Sequence, residues 1–117
     1  MGHIIRDRSF DFALRIIKLY SFLTDSKKEY VISKQILKSG TSIGANIREA
    51  RNAQSNSDFI SKYSIALKEA DETQYWIVLL YASEFIDDNA YKSLNGDVNE
   101  LISLLTSSIK TAKNNGK

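Results

Sequence analysis

Apolar residues return every three or four positions along this chain, and nowhere do they alternate with the two-residue rhythm of a strand. Phe12, Ile16, Leu19 and Leu23 form one stripe of a first helix, predicted over about residues 9–23, with Phe10, Ala13, Ile17 and Tyr20 beside it. The stretch from Thr24 to Lys28 is polar and reads as a connection. Ser26 and Glu29 then stand at capping-box spacing, which predicts a second helix over about residues 27–53. Its centre is the string QILKSGTSIGANIREA, residues 35–50, in which Ile36, Leu37, Ile43, Ile47 and Ala50 keep helical phase across two glycines. A break at Ser39-Gly40-Thr41-Ser42 would give two short helices instead; the unbroken phase favours one. A glycine inside a helix costs roughly 1 kcal/mol against alanine. Gly40 and Gly44 are therefore expected where another helix backbone packs closely.

The third helix, predicted over about residues 57–86 and capped by Asn56 or Ser57, has the clearest period. Phe59, Tyr63, Ala66, Ala70, Thr73, Ile77 and Leu80 alternate steps of four and three, the spacing of a bundle seam. Ile60, Leu67, Val78, Tyr81 and Phe85 widen it into a second face. Asp87 or Asp88 caps a fourth helix over about residues 88–112, lined by Tyr91, Leu94, Val98, Leu101, Ile102, Leu105 and Ile109. Short connections make neighbouring helices antiparallel, so the expected fold is all-α, a single up-down-up-down four-helix bundle spanning residues 1–117.

More apolar surface is present than one such bundle needs. The first and third helices carry more than one stripe each, and Tyr75, Trp76 and Tyr81 cannot all turn inward with Thr73, Ile77 and Leu80. The surplus reads as an interface between copies, that is, a homo-oligomer. Folding the second and third helices back around Ser55 pairs residues whose numbers sum to about 111. That register sets Glu49 near Lys62 and Ser42 near Glu69. Asn46, Glu49, Lys68, Glu69, Glu72 and Trp76 then lie along the seam and are expected to form a polar network or a subunit interface.

Composition changes the picture mainly by exclusion. A chain of 117 residues is one domain, and without proline its helices run uninterrupted. Without cysteine there is no disulfide, thiolate metal site or thiol nucleophile. Glu69 and Glu72 have the spacing of a di-metal bundle site, but the partner histidines are missing, since the sole histidine is His3, ahead of the first helix. The same absence excludes a Ser-His triad, and no phosphate-loop motif is present. No catalytic residue, metal or cofactor is expected, and the reading is not an enzyme. No apolar stretch approaches the roughly 18 residues of a membrane span, and no secretory signal opens the chain. The expectation is a cytoplasmic protein with no membrane partner.

The net charge of +2 is modest, but it is unevenly placed. Residues 71–100 hold seven acids and one base, whereas residues 101–117 hold three bases and no acid. In an up-down bundle one end collects Arg6, Arg8, Arg48, Arg51, Lys62, Lys110, Lys113 and Lys117 against Asp7, Asp11, Glu49 and Asp58. The other end receives Asp25, Glu29, Glu84, Asp87 and Asp88, partly offset by Lys27 and Lys28. Helix dipoles account for part of this, since bases favour helix C-termini and acids N-termini. A basic pole, multiplied in a ring of copies, also suits a phosphate backbone. Arg48, Arg51, Lys62, Lys110 and Lys113 are the candidate RNA-contacting residues.

The strings QILKSGTSIGANIREA (35–50) and SIALKEADETQYW (64–76), in that order and spacing, resemble the signature of a bacterial four-helix-bundle family. Its members are encoded, in some bacteria, within intervening sequences of 23S ribosomal RNA genes. The similarity covers about residues 9–110. It implies an antiparallel bundle that assembles as a homopentamer. A related group serves as accessory proteins to the reverse transcriptases of diversity-generating retroelements and binds nucleic acid through basic surfaces; this chain, at +2, departs from that group's strongly basic character. Two functions are therefore expected to compete: an oligomeric scaffold that binds structured RNA, and a protein-binding adaptor.

Overall fold

Lys28 takes a left-handed backbone conformation, with φ of 55°, and so sets the first corner of the chain. The N–H groups of Ser26 and Lys27 donate to the Phe22 carbonyl at 2.9 and 3.3 Å, and that of Glu29 to the Leu23 carbonyl at 2.9 Å. Turned this way, Glu29 brings its carboxylate under the start of the next helix. It accepts from the N–H groups of Val31 at 3.1 Å, Ile32 at 2.9 Å and Ser33 at 2.7 Å. These are donors that a helix N-terminus otherwise leaves unpaired. Burial raises the Glu29 pKa, but the three backbone donors outweigh it and hold the carboxyl below its ordinary value of 4.5.

The computed structural model describes residues 2–116 and contains α1 (Gly2–Asp25), α2 (Ile32–Ala50), α3 (Asn56–Ala82) and α4 (Asp88–Asn115). Helix α1 starts well before Ser9, because Ile5 and Ser9 continue the buried stripe of Phe12, Ile16, Leu19 and Leu23. Helix α2 starts at Ile32 rather than Lys27: Ser26 is still tied to α1, so the capping-box spacing does not operate and Glu29 caps alone. Its apolar phase runs through Gly40 and Gly44 without a break. Ser55, not Asn56 or Ser57, caps α3 by accepting from the Asp58 N–H at 3.0 Å. That helix stops at Ala82, short of residue 86, because Glu84 turns left-handed with φ of 67°. The Phe85 and Glu84 N–H groups then fold back onto the Leu80 and Tyr81 carbonyls at 2.9 and 3.0 Å, a Schellman closure. Asp87 caps α4 by accepting from the Ala90 N–H at 2.9 Å.

The helices go round a square in chain order, each antiparallel to the next, in a body of 49 × 21 × 19 Å. Helix α4 returns beside α1, where packing is sparsest. There, Arg8 meets Glu100 and Arg15 meets Asp97, each at 2.6 Å, tying the open seam. Exposed pairs of this kind contribute about 0–1 kcal/mol each. The core is drawn from all four stripes, with Phe12, Ile16, Ile36, Ile43, Ile77, Leu80, Val98 and Leu105 fully enclosed. Phe59, Tyr91 and Ile102 are only half-buried.

The two α2 glycines are not equivalent. A Cβ at Gly40 would stand 2.8 and 2.9 Å from the Cγ1 and Cγ2 atoms of Ile16, which is buried and branched at its root. A Cβ at Gly44 would stand 3.4 Å from Ser9 Oγ and 3.5 Å from the Ser9 carbonyl oxygen, which is ordinary contact. Overpacking costs about 1–3 kcal/mol, against roughly 1 kcal/mol gained in helix propensity. Gly40→Ala is thus expected to lower stability in urea denaturation and Gly44→Ala to raise it by up to about 1 kcal/mol. Equal shifts for both would contradict the packing described. Glu29 provides a second check. Its folded pKa is lowered, so its contribution is present above the unfolded value and disappears as pH falls below about 4.5 through the folded one. Glu29→Gln is expected to cost about 1 kcal/mol at neutral pH, and the gap from wild type should close in acid. A gap of constant size from pH 7 to 3 would show that the carboxylate charge is not what caps α2.

Candidate nucleic-acid interface

The close approach of α1 and α2 leaves a shallow outer groove along their shared edge. Gly44 and Ala45 floor it from α2, and Ala13 from α1, so the groove is low-walled. At the end where α1 begins and α2 finishes it opens into a cleft of about 490 Å3. Arg6, one turn before Phe10, borders the cleft from α1; Arg48 and Arg51, one turn apart at the C-terminus of α2, border it from the other side. The carbonyl end of α2 carries partial negative charge, which favours cations there. Arg48 and Arg51 are exposed and Arg6 is half-buried, and none forms a salt bridge among the described residues. Arg6 also lies within electrostatic reach of Tyr63: burial raises that phenol's pKa and the Arg6 charge offsets part of the rise. Asp7 is the one acid in the cleft.

The five candidate RNA-contacting residues share this end of the molecule but not one face. Arg48 and Arg51 join Arg6 on the α1–α2 edge. Lys62 is engaged with Glu49 across the α2–α3 seam, Nζ to Oε1 3.2 Å, in the register expected from the turn at Ser55. Lys110 and Lys113 are exposed on α4, diagonally across the bundle from α2, without a salt bridge among the described residues. Lys117 lies outside the described residues. The inclusion of Arg6 and Phe10 in the cleft depends on how α1 is rotated about its axis, which apolar spacing alone does not specify.

The residues expected to form a polar network mostly turn back on their own helices. Asn46 Nδ2 donates to the Ser42 carbonyl at 2.8 Å, and Trp76 Nε1 donates to Glu72 at 3.2 Å. Lys68 is exposed and Glu69 half-buried. Polar ties between helices come from other side chains, and the one between Ser39 and Thr73 is buried. The Thr73 hydroxyl is hydrogen-bonded to Ser39 Oγ at 2.9 Å and to the Glu69 carbonyl at 2.7 Å. Gln74 Nε2 of α3 donates to Asn95 Oδ1 at 3.0 Å and Asn99 Oδ1 at 2.7 Å of α4. The Ser39–Thr73 pair obeys the same register as Glu49–Lys62 and was accessible by extending it.

Apolar side chains open to water include a set on α1 and a set on α3, besides Ile4, Phe22, Tyr30 and Val31. Phe10, Leu14 and Ile17 run down one line of α1, 63%, 46% and 47% exposed. Ile65, Tyr75 and Val78 are exposed on α3. Trp76 is half-buried, edge-on to Tyr75 with ring centroids 5.0 Å apart. Tyr81 stacks on Tyr91 at 4.2 Å and hydrogen-bonds Asp88, so it is already partnered within the chain. A different cleft, at the opposite end, is acidic and is lined by Glu84, Asp87 and Asp88. Among the described residues no group of His, Cys, Asp and Glu is placed to hold a metal ion, and no helix is long and apolar enough to cross a membrane.

Comparisons with known proteins agree with this architecture. No curated protein matches the chain. The crystal structure of a protein of unknown function from the S23 ribosomal protein family of Bacteroides thetaiotaomicron VPI-5482 superposes with a TM-score of 0.92 and is 56% identical, over 93% of this chain and 97% of that one. A family profile described as 23S rRNA-intervening sequence protein matches residues 2–107, nearly the whole chain. The four-helix chain therefore belongs to the 23S rRNA-intervening sequence protein family.

Proposed function

We propose that this protein is a non-enzymatic, cytoplasmic scaffold that binds structured RNA through arginines on its α1–α2 edge and works as an assembly of several copies. The observation that carries the reading is the division of labour among the bases. Arg8, Arg15 and Lys62 are neutralised within the chain. Arg48 and Arg51 stand exposed beside Arg6 without a salt bridge among the described residues. Unneutralised guanidinium groups on a shallow edge suit phosphate, which they bind in a bidentate way. Lys110 and Lys113 on α4 give a second, separate point of contact for a large RNA. The family's association with ribosomal RNA intervening sequences supports RNA as the partner.

Assembly is supported by the apolar side chains left in water. Leu14 and Ile17 on α1 and Tyr75 on α3 lie on different helices. Two unlike faces suit a heterologous contact, one copy's α1 against the next copy's α3, and such contacts form a ring when the rotation between copies closes. A homopentamer, the state implied by the family resemblance, is one such ring. The same exposed side chains carry a second reading, a protein-binding adaptor such as an accessory subunit of a reverse transcriptase.

Filter binding to a hairpin RNA across a salt series tests the proposal. Log affinity should fall linearly with log salt, and Arg48→Ala with Arg51→Ala should reduce the slope by about 1.5. RNA affinity that is absent, or indifferent to salt, contradicts it and favours the adaptor. Native mass spectrometry of the same sample should report more than one subunit, and a lone protomer at micromolar concentration would remove the assembly half of the proposal.

A further inference from the structure

Phe10 is the most exposed apolar side chain of α1, yet it borders a cleft otherwise marked by charge. Arg6 lies one turn before it, and Arg48 and Arg51 face it from α2. An aromatic ring standing open among guanidinium groups combines two elements by which proteins hold unpaired nucleotides: a flat face for a base and cations for the flanking phosphates. Resting on the RNA-binding reading above, we propose that this cleft is a seat for single-stranded RNA, in which Phe10 stacks on one base while Arg6, Arg48 and Arg51 hold phosphates.

Three features of the cleft favour an unpaired strand over a duplex or a second copy of the chain. A duplex keeps its bases stacked on one another and presents phosphates and groove edges, so the Phe10 ring would have no base face to meet. Small residues, Ala13, Gly44 and Ala45, keep the walls low, and the volume of about 490 Å3 leaves room for a splayed nucleotide. A like face from another copy would bring its own three arginines against these, with only Asp7 on each side to offset them. Leu14 and Ile17, farther along α1, do not border the cleft and remain available for contact between copies. Among the described residues no cation–π contact occupies the Phe10 ring within the chain, whereas Lys27 does lie over Phe22.

The test is fluorescence anisotropy with the full chain and two probes: a labelled single-stranded RNA of about 12 nucleotides, enough for a site of this class, and the same strand annealed to its complement. The single strand should bind more tightly. Phe10→Ala should weaken it about tenfold and leave duplex affinity unchanged, and Phe10→Trp should retain the wild-type affinity. Arg48→Ala should lower the salt slope for the single strand by about 0.7. Equal affinity for both probes, with Phe10→Ala silent, overturns this inference and leaves RNA binding standing. Absence of binding to either probe removes both readings. A change in subunit number on Phe10→Ala, read by native mass spectrometry, assigns the ring to contact between copies and also overturns the inference.

Discussion

The contact between Gly40 and Ile16 is the constraint from which the rest of the molecule follows. With no side chain at Gly40, the branched Ile16 packs directly onto the α2 backbone, and α1 lies close to its neighbour there. One turn on, Gly44 meets the Ser9 backbone, so the approach persists toward the end where the arginines gather. A low groove rather than a ridge of side chains results. It brings Arg6 and Phe10 of one helix beside Arg48 and Arg51 of the other. The cost of glycine within a helix is thus offset by packing, and that packing also shapes a surface.

Charge in this protein serves two purposes that the net value conceals. Arg8 and Arg15 secure the α1–α4 seam, where apolar packing is sparsest, and Lys62 joins α2 to α3. These pairs lie at the surface and stabilise little, but they remove three cations from any role toward a ligand. Of the cations left unneutralised at the end bearing the two-to-three turn, Arg6, Arg48 and Arg51 gather on the α1–α2 edge, while Lys110 and Lys113 stand apart on α4. A protein of net charge +2 can in this way present a locally cationic face.

Much of the architecture was legible in the sequence, since burial follows the apolar period: the stripes of Phe12, Ile43, Ala70 and Val98 all turn inward. The Glu49–Lys62 register followed from helix geometry and the position of the turn. Corners were less legible for a specific reason. Lys28 and Glu84 adopt left-handed conformations that composition assigns to glycine or asparagine, so neither helix end carried its usual marker. Glu29 caps α2 across a loop rather than through a capping box, and this moved the helix start to Ile32. At the interface, Arg48 and Arg51 could be proposed from charge, but their neighbours could not. Apolar spacing placed Phe10 beside the α1 stripe, whereas in the bundle it is the most exposed apolar side chain of α1. Only the rotation of α1 against α2, set by Ile16 on Gly40, decides that.

The central claim is spatial: RNA meets this protein on the α1–α2 edge that the close helix contact creates. Ultraviolet crosslinking of 4-thiouridine-substituted RNA to the intact protein, followed by peptide mapping, tests it directly. Crosslinks concentrated in the peptides bearing Phe10 and Arg48–Arg51 are the predicted result. Crosslinks confined to the α4 peptides around Lys110 and Lys113, or spread evenly over the surface, would contradict it.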